Sequence, residues 1–160
     1  MCSLIFNDNI KIAANSISDV ISMINKSCNA AVDNAMFEIA KLSKKNIIRL
    51  INSRDIINSG LLKSSIRIYK VNNSEYRVGP DNNVKYAIFP ELGTGIYNKN
   101  GRKGGWLYKA DDGNWYFTYG QKPRYFMRDA AKSTADDSVY IIFLKLRKEL
   151  KKNVNKIRNI

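Results

Sequence analysis

"NSGLLKSSIRIYKVNNSEYRVG", residues 58–79, is where the chain changes its period. Before it, apolar residues recur every three or four positions; from Ser65 onward they recur every two. Gly60, after Asn58 and Ser59, reads as a break or cap, and a short turn leads into "SIRIYKV". Ile66, Ile68 and the run from Tyr69 to Val71, then "EYRVG" after the Asn72–Asn73–Ser74 turn, predict a β-hairpin.

Upstream, "SISD" at Ser16–Asp19 resembles a capping box. Ile17, Ile21, Ile24, Cys28, Ala31, Ala35 and Ile39 then fall on one helical face, and Ile47, Ile48 and Ile51 continue it beyond "KLSKKN". This predicts a helix from about Ser16 to Ile51, bent near Ser43. Downstream, "VKYAIF" reads as a third strand closed by Pro90, which lacks a ladder donor. "GWLYKADDGNWYFTYG" reads as a second hairpin, with Asp112 and Gly113 taking the positive φ angles of a tight turn. From Phe126, the residues Ala130, Ser133 or Thr134, Val139, Ile142, Leu146, Leu150, Val154 and Ile157 follow helical spacing. The expected fold class is α+β: a long N-terminal helix, an antiparallel meander sheet of about four to five strands and a long C-terminal helix. Residues 1–15 read as an arm, and 16–158 as one domain.

The 160 residues fit one domain, and 44% hydrophobic residues are enough for a core. Twenty-seven Lys and Arg against 14 Asp and Glu give a net charge of +13, which favours acidic partners without choosing among nucleic acid, anionic membrane and acidic protein. The chain has no histidine, which removes the usual proton shuttle of neutral pH and the commonest transition-metal ligand. Cys2 and Cys28 have no metal spacing, and a reducing compartment is the expectation. "MCSLIFNDNIKIAANS" is a weak signal peptide, because it lacks a basic start and Asn7, Asp8 and Asn9 interrupt its apolar run. No run approaches the roughly 20 apolar residues that span a bilayer, so a soluble chain made in the cytoplasm is expected.

Five of the nine glycines lie in "GTGIYNKNGRKGGW", residues 93–106. A phosphate-binding P-loop would need Lys-Ser/Thr where Arg102-Lys103-Gly104 stand, and a dinucleotide loop would need a following helix, not a strand. Asp111 and Asp112 sit in a turn, where Asp is common for conformational reasons. Glu91 reads as a carboxylate anchoring the loop through backbone N–H groups. Neither a catalytic residue nor a metal or cofactor site is assigned. Cations interleave with aromatics around Trp106, Trp115 and Tyr119, and a DNA-stacking role competes there with a plain hairpin core. Lys145, Arg147, Lys148, Lys151 and Lys152 belong to a stretch, Lys145–Arg158, with seven basic residues against Glu149 alone. They are candidates for contact with DNA or an acidic partner.

"YAIFPELGTG", the hairpin opened by "GW", "GQKPRYFMRDA" and upstream "SGLLKSSI" together resemble the tailed-bacteriophage tail-component family, over roughly residues 17–150. Pro90 before Glu91, Leu92 before Gly93, Gly104-Gly105 before Trp106 and the "PRYF" segment depart from the family's pattern. The resemblance implies a structural, non-enzymatic protein of the virion neck, assembled in the host cytoplasm. It would form a homo-oligomeric, six-fold ring that completes or terminates the tail and joins it to the head connector. Its expected partners are the connector or stopper protein, the tail tube and, in contractile tails, the sheath, with non-specific contact to DNA in the lumen and none with a membrane. A mobile assembly loop is expected at residues 96–105, with Glu91, Gly93, Thr94, Gly95, Tyr97, Gly101, Arg102, Lys103, Gly104, Gly105 and Trp106 as interface candidates. The alternative is a basic nucleic-acid-binding module of a mobile element.

Overall fold

The computed structural model describes the backbone of residues 2–56 and 60–158, and the side chains of residues 17–56 and 60–155. Its frame is two long helices, α1 (Cys2–Ser53) and α4 (Phe126–Arg158). The 52 residues of α1 span about 78 Å at 1.5 Å per residue. No glycine or proline occurs between Cys2 and Ser53, so neither of the strong helix breakers interrupts this stretch. Helix α1 is accordingly already helical at Cys2, the first described residue, and passes unbroken through Ser16 and Ser43, rather than beginning at the capping-box-like "SISD". It ends where Asp55 takes a left-handed φ of 46° and Ile56 N–H donates back to the Ile51 carbonyl at 3.3 Å. Asn58 and Ser59, read above as part of the break, lie outside the described residues.

The helices α1 and α4 pack antiparallel. Ser27 Oγ donates to Asn153 Oδ1 at 3.3 Å, and Asn46 Nδ2 to Thr134 Oγ1 at 3.1 Å, in reversed chain order. The second bond is buried, and Thr134 in turn donates to the Ala130 carbonyl at 2.7 Å, so its hydroxyl both accepts and donates and the helix register is pinned. Ala31 and Ala35 are fully buried as the α1 pattern predicts, whereas Ile17 and Ile21 are more than half exposed.

Between the helices come α2 (Leu61–Ser65), β1 (Ile66–Asn72), β2 (Glu75–Pro80), α3 (Ile88–Leu92), β3 (Trp106–Lys109) and β4 (Trp115–Thr118). The antiparallel β1–β2 hairpin lies on α1: Lys70 Nζ and Tyr76 Oη each donate to Asp33 at 2.8 Å, and Tyr76 packs on Phe37. The hydrogen bond from Lys70, then that from Tyr76, holds the Asp33 carboxyl below its ordinary value. Phe126, Leu62 and Ile66 are fully buried and join Ile47, Ile51, Val84, Ala87 and Ala130 in one core cluster.

The expected meander of four to five strands is absent: β1–β2 and β3–β4 form two separate two-stranded sheets. The predicted third strand is instead a 3-10 turn, Lys85–Ala87, running into α3. Val84, Ala87 and Pro90 are buried at three-residue steps, the period of a tight helix rather than of a strand. Pro90 lies in the first turn of α3, where a missing N–H costs no hydrogen bond. In the β3–β4 turn only Gly113 has positive φ, 83°, and Asp112 does not. Gly113 N–H donates to the Ala110 carbonyl and Ala110 N–H to that of Asn114, each at 2.9 Å, while Asp112 accepts from Asn114 N–H and Tyr116 Oη. No helix of the described residues is long and apolar enough to cross a membrane.

Candidate functional site

Helix α3 has two sides with different uses. Inward, Pro90 is buried and Glu91 reaches the start of α4, where Oε2 accepts Met127 N–H at 2.8 Å and Oε1 accepts Arg128 N–H at 3.0 Å. These are among the donors a helix N-terminus leaves unsatisfied, and an anion is favoured there. Two backbone bonds reinforce the clasp: Arg124 N–H to the Pro90 carbonyl at 2.7 Å, and Tyr125 N–H to that of Glu91 at 3.2 Å. Tyr125 is held at φ 47°, a strained value for an aromatic residue, with the Arg128 guanidinium stacked on its ring at 3.7 Å. Outward, Ile88 and Phe89 are 54% and 52% exposed, and Leu92 is exposed beside them.

The glycine segment folds back on residues 119–121. Thr94 N–H donates to the Gln121 carbonyl, Gln121 N–H to Thr94 Oγ1 and Ile96 N–H to the Tyr119 carbonyl, all at 3.0 Å. Gly95, at φ 59°, lies so close that a Cβ would collide with the Tyr119 carbonyl, and a Cβ on Gly120 would collide with that of Thr94. Gly101 sits equally tight against the Gly95 backbone, and Gly105 against the Phe117 ring; Gly104 alone of the five in the segment faces open space. Close approach of backbones is therefore a structural use of this glycine. Asn98 closes the loop: Nδ2 donates to the Gly93 carbonyl at 3.1 Å, Oδ1 accepts Asn100 N–H at 3.0 Å, and its carbonyl accepts Lys103 Nζ at 2.9 Å.

Together α3 and this segment enclose an open groove of about 760 Å³. Ile88, Phe89, Leu92 and Trp106 supply apolar wall, Gly93, Thr94, Gly95 and Gly101 supply backbone, and Asn98, Asn100 and Arg102 supply polar groups. Of the residues singled out in the sequence, Gly93, Thr94, Gly95, Gly101, Arg102 and Trp106 meet at this groove. Tyr97 stands exposed beside it, with Lys122 Nζ 6.0 Å over its ring. Glu91 instead anchors α4. Ile88 and Phe89 escape the sequence reading because "VKYAIF" fits a strand; the three-residue step of Val84, Ala87 and Pro90 is the available signal.

The five α4 cations singled out in the sequence divide, Lys148 being exposed. Lys145 lies 3.6 Å from Glu38 across the helix pair, and Lys152 donates to Glu149 at 2.8 Å. Arg147 and Lys151 flank a separate apolar groove with Phe143, Leu146, Leu150 and Val154. Every carboxyl whose pKa departs clearly from its ordinary value among the described residues is shifted down. Such groups are held ionised, which suits ion pairing and capping rather than proton donation at neutral pH.

A family model, described as "Bacteriophage HK97-gp10, putative tail-component", matches residues 10–93, just over half of the chain. The match runs from α1 through α3 to Gly93, so it takes in the Ile88–Leu92 wall of the groove and stops before the rest of the glycine segment. No curated protein and no solved structure gives a significant match.

Proposed function

The chain belongs to the HK97-gp10-like family of phage tail components, and on that premise we propose that it is a structural subunit of the virion neck. Several copies form a closed ring that terminates the tail and joins it to the head connector. The observation that carries this reading is the groove beside α3. On a chain of net charge +13, exposed Ile88, Phe89 and Leu92 line it together with Trp106, and Ile96 and Tyr97 are exposed as well. A contiguous patch of this kind marks a surface that is covered in the working assembly. Ring subunits need such surfaces, because each copy meets two neighbours and the structures above and below.

In this reading the groove takes a segment of an adjoining virion protein, with Phe89 and Trp106 as anchors and Arg102 at the rim. Aromatic anchors in a desolvated pocket supply most of the energy of such contacts. The test is complementation of a phage lacking this chain with a Phe89→Asp variant. The side chain is half exposed, so the fold should survive, as circular dichroism and Tm would verify. Filled heads and separate tails are the expected products under the electron microscope. Normal particles at normal yield would remove the groove from the account.

A further inference from the structure

The β3–β4 hairpin and one flank of the α1–α4 pair are complementary surfaces on the same chain. In the hairpin register Leu107 pairs with Phe117 and Lys109 with Trp115, which puts the apolar Leu107, Trp115 and Phe117 on one face, with Lys109 at its tip end. All three are more than half exposed, Trp115 to 66%. The tip beyond them carries Asp111 and Asp112, both exposed. A two-stranded ribbon with an uncovered apolar face is marginal in water by itself.

The flank of the helix pair away from β1–β2 holds a groove of about 420 Å³. The opposite flank is the one that Tyr76 and Val78 of β2 approach. Leu42, Ile141 and Leu144 form the floor of the groove, and Lys41, Lys45 and Lys145 its rim. Glu38 is the acid within it, bonded to Lys41 at 2.9 Å and lying 3.6 Å from Lys145. Lys45 pairs with no carboxylate among the described residues. Lys148, one helical step past Lys145, adds a further cation, and Asp137, one turn before Ile141, a further acid. The surface is thus apolar in the middle and net positive at the edge; the hairpin face is apolar apart from Lys109, and Asp111 and Asp112 leave its tip net acidic.

We propose that the β3–β4 hairpin of one copy docks on the Lys41–Lys45–Lys145 groove of the next copy. Leu107, Trp115 and Phe117 cover Leu42, Ile141 and Leu144, and Asp111 meets Lys45. The two surfaces are different parts of the chain, so the contact is heterologous, and repeated by rotation it closes a ring. Opposite charge at the rim fixes the register and disfavours hairpin-to-hairpin pairing. The inference rests on the ring reading given above and supplies its subunit contact.

Disulfide trapping in purified particles tests it. The phage is complemented with full-length chain carrying Asp111→Cys and Lys45→Cys, with Cys2→Ser and Cys28→Ser. After mild oxidation, a non-reducing gel should show dimers and higher multimers, while each single-cysteine control stays monomeric. A monomer band alone, from particles that still show the chain as a ring, would overturn the docking and leave the ring reading standing. Particles in which the chain is present without any ring would remove both. In a second arm, Asp111→Lys should lower infectious yield about tenfold and Lys45→Glu in the same chain should restore it. A loss not repaired by the second change would count against the pairing.

Discussion

Arg54, just past the end of α1, and Asp129, in the first turn of α4, are joined by a 2.7 Å ion pair. Arg54 also donates to the Arg124 carbonyl, and Arg124 Nη1 donates to the Arg54 carbonyl at 3.0 Å, so the two helix ends are tied by side chain and backbone together. The hydrogen bond from Arg54, followed by that from Arg128, holds the Asp129 carboxyl below its ordinary value. The folded state therefore favours the ionised form. Its contribution is present above the unfolded aspartate value of about 3.9 and is lost as pH falls through the lower folded value. Asp129→Asn should lower Tm near neutral pH and shrink the fall of Tm between about pH 5 and about pH 2. Asp33, Glu38 and Asp112 are shifted the same way, so the acid limb flattens only in part. Parallel Tm–pH curves for wild type and variant would contradict the assignment.

Glu91 caps the start of α4. Its carboxylate takes two N–H groups at the start of α4, so Glu91→Ala should cost about 1 kcal/mol in chemical denaturation. Glu91→Gln keeps one acceptor oxygen and should cost less. Equal stability of all three proteins would show that the cap contributes nothing.

The glycines of residues 93–106 differ sharply in what they tolerate. Gly95→Ala drives a methyl group into the Tyr119 carbonyl and strains φ, so it should loosen the whole segment and open it to limited proteolysis. Gly104→Ala meets nothing within 4 Å and should be neutral, or more stable by up to about 1 kcal/mol. Equal protease sensitivity of the two variants would contradict the close-approach role of Gly95.

The buried Asn46–Thr134 bond yields a double-mutant test. Thr134→Val leaves the Asn46 amide buried without its partner and should cost about 1–3 kcal/mol. Asn46→Leu in the same chain removes the orphaned group and should recover most of that loss. Additive losses would mean that the pair does not set the helix register.

Much of this fold is legible in the sequence, for physical reasons that differ by element. The two hairpins follow from period-two patterning and turn residues, and α4 begins at Phe126 as its spacing predicts. The start of α1 is hidden because Ser16–Asp19 resembles a cap and the chain before it lacks any stop signal. "VKYAIF" misleads because a short apolar run fits strand and helix equally, and only burial distinguishes them. The groove and the lysine-rimmed flank are both tertiary products. Phe89 and Trp106, or Lys45 and Lys145, meet only after α3 and α4 are packed. The glycines were visible as a cluster, but their partner Gly120 lies on a distant segment that spacing does not reveal.

The most direct measurement is a cryo-electron microscopy reconstruction of the neck of purified particles, with this chain identified by a genetically added label. The account predicts a closed ring of copies at the head-proximal end of the tail, with Phe89 and Trp106 of each copy covered by an adjoining virion protein. Particles that are complete, infectious and free of this chain would contradict it.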